Sequence, residues 1–275
     1  MLKRFCIIIC ALAAATSVSS GLEPVRPVSS AWTAEAGTSH LADTYLSPVK
    51  YSGLHFGLGY GRLQAMKRTT LVQGWNVSLG FDRALNPAGN AAMLGLDLEG
   101  GWRIMRRWRL PHGFSAAAGG YAGVRAGVLY LSRNGNNPAQ ALASATIGPE
   151  GYVQWSGRLG RLPLSVRWQA STPIAGAFFC PDYGELYYEI ALGNRENLAH
   201  FAWPGNFRRL NSLLSVDLHL GKSTLRLGYG LEAMSTRANH ITSRRITHSA
   251  VIGVVCDFIT INPQKHDAQI VTANY

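Results

Sequence analysis

The chain has 275 residues, with 26 Lys and Arg against 15 Asp and Glu, for a formal net charge of +11. Only 15% of residues are charged, well below the roughly 25% of ordinary soluble domains, and apolar residues are interleaved with Gly, Ser and Asn. No window after the N-terminal segment approaches the roughly 20 apolar residues of a membrane-spanning helix. The basic residues fall mainly at the ends of alternating segments and gather on no helix or aromatic-rich face, which argues against a nucleic-acid partner.

The first residues are Met-Leu-Lys-Arg-Phe, followed by an apolar run from Cys6 to Ala15 and small residues to Gly21. A positive start, a short apolar core and a small-residue exit make residues 1–22 a cleaved signal peptide. Cys6 and Cys10 come too early for a lipoprotein signal.

Period-two alternation then dominates, the mark of strands with one apolar and one polar face. A first strand covers about Ala31 to Tyr45, and a loop from Leu46 to Gly53 follows. The second strand sets Leu54, Phe56, Leu58 and Tyr60 against His55, Gly57, Gly59 and Gly61. After a turn at residues 67–70, Gln73, Trp75, Val77, Leu79 and Phe81 oppose Gly74, Asn76, Ser78 and Gly80. Asp82 to Asn90 reads as a loop. Ala92, Leu94, Leu96 and Leu98 form a fourth strand, which ends at Trp102 before a basic turn, Arg106-Arg107-Trp108-Arg109.

The fifth strand runs from Phe114 to about Tyr130, and a polar loop covers Arg133 to Ala141. The sixth spans about Ala143 to Trp155, and a turn at 157–163 leads into the seventh with Leu164, Val166, Trp168 and Ala170 on one face. Residues 172–207 form a long aromatic insertion. Leu210 to Met234 is the clearest hairpin: Leu210, Leu214, Val216, Leu218 and Leu220 share one face, and Asp217 and His219 lie on the other. With Gly221 and Lys222 as a two-residue turn, Asp217 falls opposite Arg226. A polar loop is read at 237–245, then a last strand through Ala250, Ile252, Val254, Cys256 and Phe258, then a polar tail at 263–275.

Each clear arm has about the 9–11 residues of a tilted membrane-spanning strand, and the connections alternate between short and long. The expected fold is therefore all-β, an antiparallel up-and-down transmembrane β-barrel of about ten strands over residues 23–262. Twelve strands are the alternative if 183–203 form another hairpin. A soluble sandwich would present a wet face rich in Lys, Glu and Thr, whereas the polar face here is mostly Gly, Ser, Ala and Asn. Trp75, Trp102, Trp155 and Trp168 lie on the apolar face, three of them near strand ends as an interfacial girdle requires. Cys180 and Cys256 then sit about 30 Å apart along the strands, beyond disulfide reach, so two free thiols are expected. No Cys or His partners them at ligand spacing, and no cofactor or metal is expected.

The segments Asp43-Thr-Tyr-Leu-Ser-Pro48 and Tyr51-Ser-Gly53, with Pro181-Asp-Tyr-Gly-Glu-Leu-Tyr-Tyr-Glu189, resemble an uncharacterised small outer-membrane β-barrel family of Bacteroides-type bacteria. The resemblance covers most of the mature chain. It implies the outer membrane of a Gram-negative bacterium and a barrel architecture, and no catalytic residues.

Two groups of residues stand out. Asp97, Glu99, Arg125, Glu150, Arg167, Asp217, His219, Arg226 and Glu232 lie on the polar face, as the ion-paired filling of a narrow lumen or as a solute path. Phe178, Phe179, Tyr183, Tyr187, Tyr188 and Trp203 crowd the outward-facing insertion, either to bind a protein or glycan or to cap the barrel mouth. The adjacent pairs Ser39-His40 and His248-Ser249 face opposite sides of their strands, so neither makes a nucleophile and base within its own strand. The reading is a surface-interaction or envelope-structural protein in contact with membrane lipid, including lipopolysaccharide, and not an enzyme. A lipid- or peptide-cleaving membrane hydrolase and a narrow channel are the alternatives.

Overall fold

A computed structural model describes residues 26, 28–67, 70–135, 137–193, 196–220 and 223–258. The signal segment, the tail after Phe258 and the two turn residues Gly221 and Lys222 lie outside them. Ten long strands close into an antiparallel barrel: β1 (Val28–Asp43), β2 (Tyr51–Ala65), β3 (Leu71–Leu85), β4 (Ala92–Arg109), β5 (Phe114–Leu131), β6 (Ala139–Leu159), β7 (Leu162–Ser171), β10 (Phe207–Leu220), β11 (Ser223–Ala238) and β12 (Ile241–Phe258). Closure is made by β1 on β12, from Val28 opposite Phe258 to Asp43 opposite Ser243.

The two remaining strands, β8 (Ala175–Phe179) and β9 (Ala199–Ala202), pair with each other, and β8 continues up β6 where β7 stops. The break is a bulge. Glu150 faces Ser171 and Ile147 faces Ala175, so Thr172, Pro173 and Ile174 oppose only two residues of β6. Proline has no N–H to give a ladder, and such bulges are where sheets accept it. The barrel therefore has ten staves, and the insertion raises two of them above the outer rim around a short helix, α1 (Tyr187–Ala191).

Several strands are longer than their alternation indicates. Arg106 to Arg109 are not a turn but the end of β4, paired with Leu71 and with Ser115 to Ala118. The reversal comes at residues 110–113, where His112 (φ 58°) and Gly113 (φ 80°) take left-handed conformations. Asp82 belongs to β3. The polar loop read at 237–245 is a two-residue turn, Asn239-His240, with both φ positive (49° and 61°). That is the backbone a tight hairpin requires, and it frees residues 241–249 to extend β12.

The exterior is apolar and unburied, with Trp32 63% exposed and Leu58 61%. Trp75, Trp102, Trp155 and Trp168 all point outward. Trp32, Tyr60 and Trp75 pack side by side on neighbouring strands, their rings tilted, at 4.3 and 5.1 Å between ring centroids. Inside, small residues let strands approach: a Cβ at Gly37 would stand 1.8 Å from the His248 carbonyl oxygen. The substitution Gly37→Ala, in the β1–β12 seam, should abolish the fast-migrating folded band of unboiled protein on a gel. Normal heat-modifiable mobility in that variant would show that the seam has slack.

Candidate functional site

The alternation that turns apolar side chains outward turns charges inward. Asp217 and Arg226 face each other in register and make a two-pronged pair at 2.7 and 2.8 Å. Higher in the barrel, Arg125 binds Asp97 at 3.2 Å and Glu232 at 2.8 Å. Arg209 joins Glu232 at 3.2 Å and also holds Glu99. Arg245 holds Asp97 and reaches Asp82 at 3.0 Å, and Asp82 also meets His55 at 2.8 Å. Four carboxylates and three guanidinium groups thus form one connected layer across the lumen.

Of the nine lumen residues expected from sequence, the structure brings Asp97, Glu99, Arg125 and Glu232 into this layer. Glu150 lies apart, bound to Arg103 at 2.7 Å and to Gln169. Arg167 bonds Gln154 and lies over the Tyr152 ring, 4.6 Å from its centroid. The two ring nitrogens of His219 meet the hydroxyls of Ser165 (3.1 Å) and Thr224 (3.0 Å). Arg209, Arg245, Asp82 and His55 complete the layer, and Arg103 joins Glu150. On sequence alone Arg245 falls in the 237–245 loop and Arg209 between the insertion and the hairpin, although Phe207, Arg209 and Asn211, and likewise Arg245, Thr247 and Ser249, continue the polar face at spacing two.

The lumen is filled in layers and not throughout. Below the ionic layer an internal cavity of about 280 Å³ is lined by Glu35, Asn76, Glu99, Arg103, Glu150 and Arg209 among others. Gly57, Gly80, Gly101, Gly123 and Gly230 face it, and their missing side chains leave the space. Glu35 projects into it, accepting a hydrogen bond from Ser249 at 2.8 Å.

Above the ionic layer the inward face turns apolar. Leu41, Tyr51, Met93, Leu129, Leu131, Phe178, Phe207, Met234 and Ile241 pack into one buried cluster that stops the outer mouth. The insertion is fastened onto it. The Tyr45 hydroxyl donates to the Glu185 carbonyl at 2.6 Å, and the Ala141 N–H donates to the Tyr187 hydroxyl at 2.6 Å. The six aromatics of the expected binding loop therefore divide. Phe178, Phe179 and Tyr187 cap the mouth, with Phe178 against Phe207 at 5.4 Å and Phe179 stacked on Tyr187. Tyr183 (66% exposed), Tyr188 (69%) and Trp203 (54%) face out.

Cys180 and Cys256 are free. Burial beneath the insertion, with Asp43 and Asp182 nearby, pushes the Cys180 thiol up to about 12.

The adjacent Ser–His pairs do not meet, whereas Ser165 and His219, on different strands, do at 3.1 Å, with the other ring nitrogen of His219 on the Thr224 hydroxyl. Ser39 and His40 face opposite ways: His40 bonds Ser52 across the strand pair at 2.8 Å on the exterior, while Ser39 is fully buried. His248 bonds Tyr229 outside, and Ser249 bonds Glu35 inside. The Asp217 carboxylate is occupied by Arg226, and the His55–Asp82 pair is tied into the arginine network. Among the described residues, no group of three or more His, Cys, Asp or Glu is placed to hold a metal ion.

Two outcomes test this geometry. Glu232→Gln leaves Arg125 and Arg209 short of charge, and breaking a buried pair from one side costs about 3–5 kcal/mol. Its denaturant midpoint should fall well below wild type, and an unchanged midpoint would show that the layer is not cohesive. A thiol held near 12 has about a thousandth of the thiolate, at pH 8, of one near 9. Maleimide should therefore label Cys180 far more slowly in folded than in unfolded protein, and equal rates would contradict the buried placement.

Comparisons with solved structures find barrels. The outer membrane protease OmpT from Escherichia coli aligns with a TM-score of 0.49 and 7% identity, covering 89% of this chain and 100% of that one. The translocator domain of the autotransporter NalP from Neisseria meningitidis aligns with a TM-score of 0.40 and 11% identity, covering 93% and 94%. An outer membrane channel from Pseudomonas putida F1 aligns with a TM-score of 0.37 and 10% identity, covering 88% and 100%. A comparison with curated proteins finds no match. Residues 4–265 match the model of the family described as "Protein of unknown function (DUF3316)", and the chain belongs to that family.

Proposed function

We propose that this barrel spans the outer membrane of a Gram-negative bacterium as a closed envelope protein whose outer loop engages a protein or glycan. The segments 43–53 and 181–189 support an envelope of the Bacteroides type. The observation that carries the reading is the stopped mouth. An apolar plug lies directly over a cross-linked ionic layer, and the loop fastened to it presents Tyr183, Tyr188 and Leu192, the last 71% exposed. A conducting pore needs a continuous wet path, and this stack interrupts one. Aromatic side chains on a loop held by a rigid scaffold provide contact area for sugar or protein surfaces at low entropic cost.

The purified protein in planar bilayers should show no steady conductance, and a reproducible open level would overturn the closed reading. Replacing Tyr183, Tyr188 and Leu192 together by Ala leaves the plug intact. Cells displaying that variant should lose at least tenfold of their capture on arrays of immobilised polysaccharides and proteins, with heat-modifiable mobility unchanged. Undiminished capture would sink the loop assignment.

A further inference from the structure

On the outward face of β10, β11 and β12, three arginines crown the apolar exterior. Arg208 lies opposite Ser235, and Ser235 lies opposite Arg244, so the three residues form one row across three strands. With strands about 4.8 Å apart, the two arginine Cα atoms stand about 10 Å apart with a hydroxyl between them. Arg237 sits one outward position higher on the middle strand, opposite Thr242. All three arginines are exposed, and none pairs with a carboxylate among the described residues. Arg208 is oriented by its Nε donating to the Pro204 carbonyl at 2.8 Å.

The next outward row toward the inner end is Leu210, Ala233 and Ile246, wholly apolar. The arginines therefore lie at the level where lipid tails give way to headgroups on the outer side. Such a cluster at the outer rim is self-repelling unless an anion sits among the guanidinium groups. It matches a phosphate, which arginine binds through paired N–H donors.

A lipid-side groove lies further down the same outward face. Arg244 is opposite Ala42 on β1, and the outward positions below it are His40, Thr38, Ala36 and Ala34, which sets Ala36 about 20 Å further toward the inner end. Ala36 and Ala34, together with Ala250, floor this groove of about 630 Å³, walled by Phe56 and Leu58. Trp32 stands at its inner end, two positions beyond Ala34. The groove has the apolar lining for an acyl chain whose headgroup is held by the arginines.

We infer that Arg208, Arg237 and Arg244 form a binding site for the phosphorylated headgroup of lipopolysaccharide in the outer leaflet, with an acyl chain seated over Ala34, Ala36 and Ala250. The inference rests on the outer-membrane reading above. Heat-modifiable mobility and insertion into bilayers test that reading, and lipid retention tests this one.

The experiment is native mass spectrometry of the full barrel after extraction in mild detergent, with added purified lipopolysaccharide, its enzymatically dephosphorylated form, or phosphatidylglycerol. Wild type should retain lipopolysaccharide, with retention reduced in high salt, and should hold the other two lipids at least tenfold less. The variant R208Q/R237Q/R244Q should lose retention at least tenfold, while R208K/R237K/R244K, which keeps the charge and loses the paired donors, should fall in between. Ala250→Trp fills the groove and should lower retention severalfold with the arginines intact. The arginines have no ion-pair partners among the described residues, and each variant is scored only with wild-type mobility. Should the triple Gln variant misfold, R237Q/R244Q replaces it, with the same loss expected. Equal retention of the dephosphorylated lipid, or full retention by the Gln variant, would overturn the site. Equal retention of phosphatidylglycerol would overturn the commitment to lipopolysaccharide.

Discussion

The pairing of the first strand with the last is the constraint on which everything else depends. β1 and β12 join residues 200 to 230 positions apart in sequence over an unbroken register from Val28–Phe258 to Asp43–Ser243. Without that seam the sheet would expose two rows of unpaired N–H and C=O groups, which a lipid interior cannot satisfy. With it, no edge remains, and every strand residue must point either to the apolar surroundings or into the lumen. Glycines such as Gly37 sit in the seam because a side chain there would strike the neighbouring backbone.

Closure then imposes the interior's order. Charges directed inward cannot reach bulk water at mid-barrel, so they persist only where each finds a partner. Arg125, Arg209 and Arg245 satisfy four carboxylates drawn from β3, β4 and β11. The apolar stopper shields this layer from the outer side, and the lowered local polarity strengthens each pair electrostatically. Below it, glycine-lined wall leaves a polar chamber, and the Asp217–Arg226 pair lies further toward the inner end. The same stacking that stabilises the wall closes the passage through it.

The strand pattern, the outward tryptophans, the free cysteines and the Asp217–Arg226 pair were all legible in the sequence. Each follows from local periodicity or from one tight hairpin. The outer ends of the strands were not. At Leu41, Met93, Leu129 and Ile241 the inward face is apolar because it meets the stopper, so the alternation fades where the strand does not. Arg106 to Arg109 looked like a turn because consecutive charges usually mark solvent. In the barrel their side chains divide, with Arg107 buried inside and Arg106 and Trp108 outside.

The sequence by itself determined that this chain alternates, in strands long enough to cross a bilayer, with greasy side chains on one face and small or charged ones on the other. Periodicity is a property of neighbours along the chain and needs no partner. Which charges meet was decided only by the tertiary structure. Arg209 reaches Glu99 across 110 positions and Arg245 reaches Asp97 across 148, contacts set by barrel closure and strand register. The division of the aromatic insertion into plug and exposed surface has the same origin. Whether a tyrosine caps the mouth or faces outward depends on where the bulge at Thr172–Ile174 sets β8, and that is fixed by β6.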